Sequence, residues 1–189
     1  MIKIGILGDI GSGKSYVAKN FGYPVFNADI EVAKLYQKDR KIFNNLKKVL
    51  PKYFHSFPIN KREVFAAILA NKNNLRKIVK IIHSEIRKKM NIFLSKNKNK
   101  KIVILDIPLL LENKINKKKD ILIFVESKRL EILKKLKKRK NFNLKILSQF
   151  KNIQLPLDYK KKKSQFIIKN NFTNKSVKRN IKNILREIL

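Results

Sequence analysis

The sequence of 189 residues contains no cysteine, which excludes disulfide bonds and metal sites built from thiolates. It also contains no run of about 18 or more apolar residues, so we expect no transmembrane helix. The first apolar segment leads directly into a glycine-rich loop without a cleavage site, so we expect no signal peptide. These absences predict a cytoplasmic protein of one domain, without a membrane partner.

Acidic residues are also scarce: 13 Asp and Glu stand against 47 Lys and Arg, and the formal net charge is +34. Such a charge alone favours binding to nucleic acid or to an anionic membrane. However, only 8 basic residues are arginine, the side chain that phosphate and base recognition more often uses. Lysine is spread over almost every segment, and Lys, Asn and Ile share A/T-rich codons. We therefore favour mutational bias over a specific nucleic-acid partner, and we interpret the lysine clusters 117–119 and 160–163 as solvated loops.

A phosphate-binding loop is the most specific motif of the chain. Residues Gly8–Ser15 read Gly-Asp-Ile-Gly-Ser-Gly-Lys-Ser and directly follow the apolar run Ile2–Leu7. This is the G-x-x-x-x-G-K-[ST] pattern at the end of a candidate strand, where backbone N–H groups can surround phosphate oxygens. Lys14 can reach the β- and γ-phosphates, and the Ser15 hydroxyl can bind Mg²⁺. The pattern predicts binding of a nucleoside triphosphate by Gly11, Ser12, Gly13, Lys14, Ser15 and Tyr16.

Alternating strand and helix patterns predict the fold class. The candidate strands are Ile2–Leu7, Val25–Asp29, Ile102–Ile107, Ile121–Val125 and Phe166–Ile168. Segments with helical spacing separate them, so we expect an α/β fold with a parallel five-stranded sheet in three layers. The core sheet would occupy about residues 1–39, 101–139 and 164–189, with a helical insertion at about 40–100. The polar segment at about 140–163 has few candidate core residues, and we expect it to be mobile.

The phosphate loop does not by itself name a reaction. The chain has no Asn-Lys-x-Asp motif for guanine where a GTPase would need one, and it is too short for most motor ATPases. A carboxylate at the end of the second strand and a basic late segment suit a small-molecule kinase. Such an enzyme needs a carboxylate beside the attacking hydroxyl, Mg²⁺ and cations around the transferring phosphoryl group, and a lid against water.

Several charged or titratable residues are candidates for these roles. Asp29 ends the second predicted strand and is either the catalytic base or a helix cap. Asp106 ends the third strand and either holds Mg²⁺ through water or has a turn or cap role. His83 is a lone histidine among apolar residues, so we favour a packing role over a general base. Three cations precede the polar segment and either reach the phosphates or form a solvated face: Lys135, Lys138 and Arg139.

Further short motifs follow one another along almost the whole chain. The phosphate loop is followed by Asn27-Ala28-Asp29, and residues 106–113 read Asp-Ile-Pro-Leu-Leu-Leu-Glu-Asn. Other segments lie at Lys61–Phe65, Ile81–Arg87, Arg139, Gln154–Leu157, Lys160 and Phe166–Asn171. In this order the motifs resemble those of the dephospho-CoA kinases. The Asp-Ala-Asp signature of that family corresponds to Asn27-Ala28-Asp29, and its Pro-Leu-Leu-hydrophobic-Glu signature lies within residues 106–113.

The resemblance implies transfer of the γ-phosphoryl group of ATP to the ribose 3′-hydroxyl of dephospho-CoA, giving CoA and ADP in the last step of CoA synthesis. It implies that Asp29 is the base and that Lys14 and Arg139 contact phosphates. It also implies an acceptor-binding region at about 40–100 and a lid at about 140–163. The residues assigned to the acceptor are Asp29, Arg62, His83, Arg87, Pro108 and Leu109. We expect a monomer or a weak homo-oligomer.

Three positions depart from the pattern of that family. Phe150 occupies the position of a lid arginine of the family, and Ala33 occupies that of an arginine shortly after Asp-Ala-Asp. Ser84 replaces the proline that follows the histidine. We interpret these changes as erosion, and we expect an active enzyme with a lowered rate. Another small-molecule or nucleoside monophosphate kinase is an alternative, and so is a basic nucleic-acid-binding protein with a degenerate nucleotide site.

Overall fold

The computed structural model describes residues 1–139 and 142–189. Its described residues form one sheet of five parallel strands in the order β2-β3-β1-β4-β5. The strands are β1 (Ile2–Gly8), β2 (Val25–Asn27), β3 (Ile102–Asp106), β4 (Ile121–Glu126) and β5 (Phe166–Lys169). The predicted α/β class and the five parallel strands are therefore confirmed.

Nine helices lie in the described part of the chain. They are α1 (Lys14–Asn20), α2 (Ala28–Lys38), α3 (Arg40–Val49), α4 (Lys61–Ala70), α5 (Lys72–Lys96), α6 (Arg129–Lys137), α7 (Leu144–Asn152), α8 (Leu157–Lys162) and α9 (Asn174–Ile188). Polar side chains start several of them: Asp39 accepts from the Ile42 amide at α3, and Asn60 and Glu63 form a capping box at α4. No helix among the described residues has the length and apolar character needed to cross a membrane.

The sheet is covered on both faces, which explains why its strands are continuous apolar runs. One face packs against α1 and α9 through a core that includes Ile4, Ile104, Val17 and Ile181. Alternate strand residues point to the opposite face, and these are also buried: Val103, Leu105, Leu122 and Phe124. The three-layer arrangement follows from this double burial.

The chain forms two compact units. The first contains Met1–Asn27, Lys96–Phe142 and Gln154–Leu189, and it holds the whole sheet. The second contains Ala28–Ser95 and Asn143–Ile153, and it is helical. The acceptor-binding and lid bounds given above stay predictions.

One local expectation, the end of the second strand, differs from the structure, whereas the mobility expected of the segment 140–163 stays a prediction. The second strand ends at Asn27, so Asp29 does not end a strand but lies in the first turn of α2. The described part of the segment expected to be mobile contains α7 and α8, while Lys140 and Asn141 lie outside the described residues. Asn143 favours α7 because its side chain accepts from the Ile146 amide at 3.1 Å.

Candidate active site

Three glycines give the phosphate loop its shape. Gly8, Gly11 and Gly13 have φ angles of +145°, +86° and +88°, a region that side chains with a Cβ rarely adopt. A Cβ at Gly8 would lie 2.6 Å from the Val125 carbonyl oxygen, and one at Gly13 would lie 2.4 Å from Asn170 Nδ2. The loop therefore needs glycine both for its backbone angles and for the close approach of β4 and the segment after β5.

Two side chains hold the carbonyl group of Ser12 from the side of β4 and β5. Asn170 Nδ2 donates to this oxygen at 2.8 Å, and Ser127 Oγ donates to it at 2.9 Å. Asn170 is only 3% exposed, and its own side-chain oxygen accepts from the Phe172 amide. Because a carbonyl oxygen has two lone pairs, these donors fix the orientation of the Ser12–Gly13 peptide. The sequence alone predicts no role for Ser127 or Asn170, although Asn170 lies in one of the matched motifs.

Lys14 is the first residue of α1, and its ammonium group lies over the loop. Its Nζ donates to the carbonyl oxygens of Asp9 at 2.7 Å and of Gly8 at 3.2 Å. Ser15 follows it and is half-buried, whereas Tyr16 is 41% exposed. The ammonium group is thus held among the backbone groups that define the phosphate site.

Ser15, Asn27 and Asp106 come together at the carboxyl ends of β2 and β3. Asn27 and Asp106 are paired positions of these two strands, and Asn27 Nδ2 donates to Asp106 Oδ2. The same nitrogen lies 3.5 Å from Ser15 Oγ. Asp106 is 3% exposed, so its carboxylate is turned into the structure and not towards bulk water. The sequence predicts a role for Ser15 and Asp106 but not for the Asn27 amide between them.

These groups fit Mg²⁺ because they are oxygen donors, and Mg²⁺ is usually bound by one or two carboxylates together with phosphates and water. Within residues 1–139 and 142–189 there is no cluster of three or more His, Asp or Glu side chains that could cage a metal. A hydroxyl and one carboxylate beside a phosphate loop are the donor set expected for a cation that arrives with a nucleotide.

A cleft of about 620 Å³ lies beside the loop at the ends of β4 and β5. Ser127 and Asn170, which hold the Ser12 carbonyl, also line it, together with Glu126, Lys128, Glu131, Lys169 and Asn171. Lys135 lies over the Phe172 ring, with Nζ 5.3 Å from its centroid. Lys138 and Arg139 are exposed at the end of α6. Among these three candidate side chains, Lys135 is therefore positioned by a cation–π contact with Phe172.

The Pro-Leu-Leu-Leu-Glu segment follows β3 as a series of turns in which Pro108 and Leu109 are half-buried. Its glutamate, Glu112, forms an ion pair of 2.6 Å with Lys160, whose side chain is 1% exposed. Glu112 Oε1 also accepts the Leu155 amide at 2.9 Å, and Lys160 donates to Gln154 Oε1 at 3.2 Å. The predicted solvated cluster 160–163 is therefore wrong for Lys160, because a buried carboxylate neutralises it.

The helical unit holds the remaining candidates. Asp29 is exposed in the first turn of α2, and Arg62 is exposed in the first turn of α4. His83 and Arg87 lie four residues apart on α5, so they share one face of that helix. His83 Nε2 is buried and has no hydrogen-bond partner among the described residues. Burial, and secondarily the positive charge of Arg87, lower the pKa of His83 below its ordinary value.

The positions that depart from the family pattern are also defined. Ala33 and Phe150 are partly buried on α2 and α7. Lys34, next to Ala33, is exposed and pairs with Glu31 at 2.6 Å. Ser84 lies within α5 and donates to the Ile81 carbonyl oxygen at 3.3 Å. The helix continues through the position where proline is usual.

The dephospho-CoA kinase family profile matches residues 2–176, which span both units. The chain belongs to the dephospho-CoA kinase family. A dephospho-CoA kinase of Wolbachia sp. subsp. Brugia malayi is 32% identical over 187 residues, which cover 96% of this chain and 95% of that protein.

Solved structures share the fold of this chain. The crystal structure of TT1252 from Thermus thermophilus has a TM-score of 0.79 and 25% identity, covering 100% of this chain and 98% of that one. The dephospho-CoA kinase from Campylobacter jejuni has a TM-score of 0.60 and 22% identity, covering 98% and 96%. This second similarity shows the fold alone.

Proposed function

We propose that this chain transfers the γ-phosphoryl group of ATP to the ribose 3′-hydroxyl of dephospho-CoA, giving CoA and ADP in the last step of CoA biosynthesis. The observation that carries the proposal is the glycine-shaped phosphate loop with Ser15 and Asp106 beside it, in a chain whose family match covers residues 2–176. We also propose a cytoplasmic location and no specific nucleic-acid partner.

Binding of the triphosphate falls to the loop residues of the first unit. The amides of Gly11 to Tyr16 surround phosphate oxygens, and the Lys14 ammonium moves from loop carbonyls to the β- and γ-phosphates. Ser15 and Asp106 would hold Mg²⁺, Asp106 through water. The cation would neutralise charge on the transferring group. The cleft next to Ser127 and Asn170 is the proposed place for the nucleoside part of ATP.

Asp29 is the proposed base for the acceptor hydroxyl. Its carboxylate is exposed in the first turn of α2, two residues after Asn27 ends β2. Asp29 would orient the 3′-hydroxyl and accept its proton while that oxygen bonds to the γ-phosphorus and the bond to ADP breaks. Because phosphoryl transfer has a loose transition state, positioning and charge neutralisation supply most of the rate.

Within the helical unit, Arg62, His83 and Arg87 are proposed to contact the acceptor. In the first unit, Pro108 and Leu109 keep the acceptor-binding role that the sequence predicts for them. Guanidinium groups suit the diphosphate of dephospho-CoA because they can donate two hydrogen bonds to one phosphate. The lowered pKa of His83 leaves its imidazole neutral near pH 7, so it can serve as a hydrogen-bonding group without adding charge. Arg139 is proposed to contact phosphates from the end of α6.

The test is a coupled assay of ADP release with ATP, Mg²⁺ and dephospho-CoA, with AMP, CMP and GMP as competing acceptors. Asp29→Asn is compared with Glu31→Gln, which removes another carboxylate from the first turn of α2 and weakens its ion pairs with Lys34 at 2.6 Å and Lys89 at 3.8 Å. We expect acceptor-dependent release with dephospho-CoA alone, lost in Asp29→Asn and retained in Glu31→Gln.

Three other outcomes would change these assignments. Release that depends on AMP, CMP or GMP would identify a nucleoside monophosphate kinase. No release above the acceptor-free background, together with salt-sensitive RNA binding stronger than that of a basic control protein, would favour the nucleic-acid alternative. Equal loss of activity in both carboxylate variants would remove the assignment of Asp29 as base.

A further inference from the structure

The neutral amide of Asn27 lies between Ser15 and Asp106, the two proposed cation ligands. Asn27 lies at the carboxyl end of β2, next to Asp106 in the sheet register. Its Nδ2 donates to Asp106 Oδ2 and lies 3.5 Å from Ser15 Oγ. Asn27 thus bridges the two oxygen donors that would hold the cation, although the amide nitrogen itself cannot bind a metal ion.

The amide of Asn27 is important because it is uncharged, unlike a carboxylate at the same position. A carboxylate at position 27, as in the Asp-Ala-Asp signature that this segment resembles, would face the Asp106 carboxylate directly across the strand pair. Two such anions repel each other and together attract a divalent cation strongly. With Asn27 the pair carries one negative charge, and the hydrogen bond holds Asp106 in one orientation.

We propose that Asn27 is a positioning residue that makes cation binding by this chain depend on the nucleotide. It fixes the Asp106 carboxylate beside Ser15 and limits the protein's own contribution to one charge, so that nucleotide phosphates must supply the remaining attraction. The inference rests on the proposed function only for the identity of the nucleotide. It concerns binding that precedes any transfer to an acceptor.

The test uses Mn²⁺ as the probe, with free Mn²⁺ measured by electron paramagnetic resonance and no acceptor present. The full chain is titrated with Mn²⁺ alone and with Mn²⁺ plus a non-hydrolysable ATP analogue. Asn27→Asp is expected to tighten binding of Mn²⁺ alone about tenfold or more, because a second carboxylate acts at short range. Asn45→Asp, at an exposed position of α3, adds the same charge elsewhere and is expected to leave this affinity unchanged.

An exchanged pair separates charge from a structural effect. Asn27→Asp combined with Asp106→Asn restores one carboxylate and one amide, and its affinity for Mn²⁺ alone is expected to return to that of the unchanged chain. Asn27→Ala removes the hydrogen bond to Asp106, and we expect weaker Mn²⁺ binding in the presence of the analogue. Thermal unfolding of each variant checks that it folds.

Three results would overturn the inference. Asn27→Asp could bind Mn²⁺ alone no more tightly than Asn45→Asp, or the exchanged pair could bind it as tightly as Asn27→Asp. Asn27→Ala could also keep the unchanged affinity with the analogue, which would show that Asp106 needs no support. Because no acceptor is used, failure to phosphorylate dephospho-CoA would leave these measurements intact.

Discussion

Removing the ammonium group of Lys160 should destabilise this protein far more than removing that of its neighbour, Lys161. Each lysine lies 2.6 Å from one carboxylate oxygen, on Glu112 and Glu126 respectively. The side chains of the first pair are 1% and 9% exposed, whereas those of the second are 40% and 37% exposed. The two ion pairs therefore differ in burial and not in the distance between their charged atoms.

The magnitude follows from what remains after the substitution. In Lys160→Ala, the buried Glu112 carboxylate keeps the Leu155 amide as a donor but loses its counter-charge. An uncompensated buried charge of this kind costs about 3–5 kcal/mol of unfolding free energy. Lys161→Ala breaks a solvated pair and should cost about 1 kcal/mol or less. For a chain of this length the first loss corresponds to a fall in Tm of about 6–20 °C.

Urea unfolding followed by circular dichroism measures both variants against the unchanged chain. Both substitutions remove one positive charge and one lysine from α8, so changes in self-repulsion and in helix propensity are matched. Lys160→Met combined with Glu112→Gln should be more stable than Lys160→Met alone, because a neutral Gln can still accept the Leu155 amide. Equal losses in Lys160→Ala and Lys161→Ala would refute the argument that burial decides the strength of these pairs.

The other predictions concern the loop and the helical unit. Gly13→Ala should weaken binding of a fluorescent ATP analogue more than tenfold, because its Cβ would lie 2.4 Å from Asn170 Nδ2 at a φ of +88°; binding unchanged within twofold would contradict this account. Asn170→Ala removes one of two donors to the Ser12 carbonyl, so we expect weaker binding of the analogue and a stability loss of about 1 kcal/mol; an unchanged Kd would show that Ser127 alone suffices. His83→Gln tests a pH effect. Burial lowers the pKa of His83 below 6.5 in the folded protein, so protonation of this side chain favours the unfolded state. The unchanged chain should therefore lose stability as the pH falls from 6.5 through the folded-state pKa. Urea unfolding at pH 7.5 and pH 5 should show a smaller loss for His83→Gln, and an equal loss would mean that His83 does not titrate in this way.

The sheet and the loop could be predicted because their signals are local. All five residues of β3 are buried, and the first four form an unbroken apolar run before Asp106. Gly8, Gly11 and Gly13 mark left-handed backbone positions that other residues avoid. A strand that is covered on both faces is a continuous apolar run, so it can be recognised in a sequence before its neighbouring strands are known. The predicted bounds of the five strands accordingly lie within two residues of those observed.

The contacts that complete the candidate site carry no such local signal. Asn27 and Asp106 are 79 positions apart, and Asn170 and Ser12 are 158 positions apart. The strand order β2-β3-β1-β4-β5 brings them together, since β3 lies next to β2 and β5 ends next to β4 on the loop side. An asparagine at a strand end resembles an ordinary turn residue until the neighbouring strand is known. The roles of Asn27 and Asn170 therefore depend on the sheet order.

The lysine-rich composition and the placement of the few carboxylates can be understood together. Only 13 acidic residues accompany 47 basic ones, yet Asp106 and Asp120 are 3% and 5% exposed, and the Glu112 side chain is 9% exposed. Asp120 pairs with Lys3 at 2.9 Å, Glu112 with Lys160, and Asp106 with the amide of Asn27. A buried carboxylate without a partner would be costly, whereas an added lysine on an exposed helix face changes stability little. A compositional drift towards lysine can therefore alter the surface widely while these three buried carboxylates keep their partners.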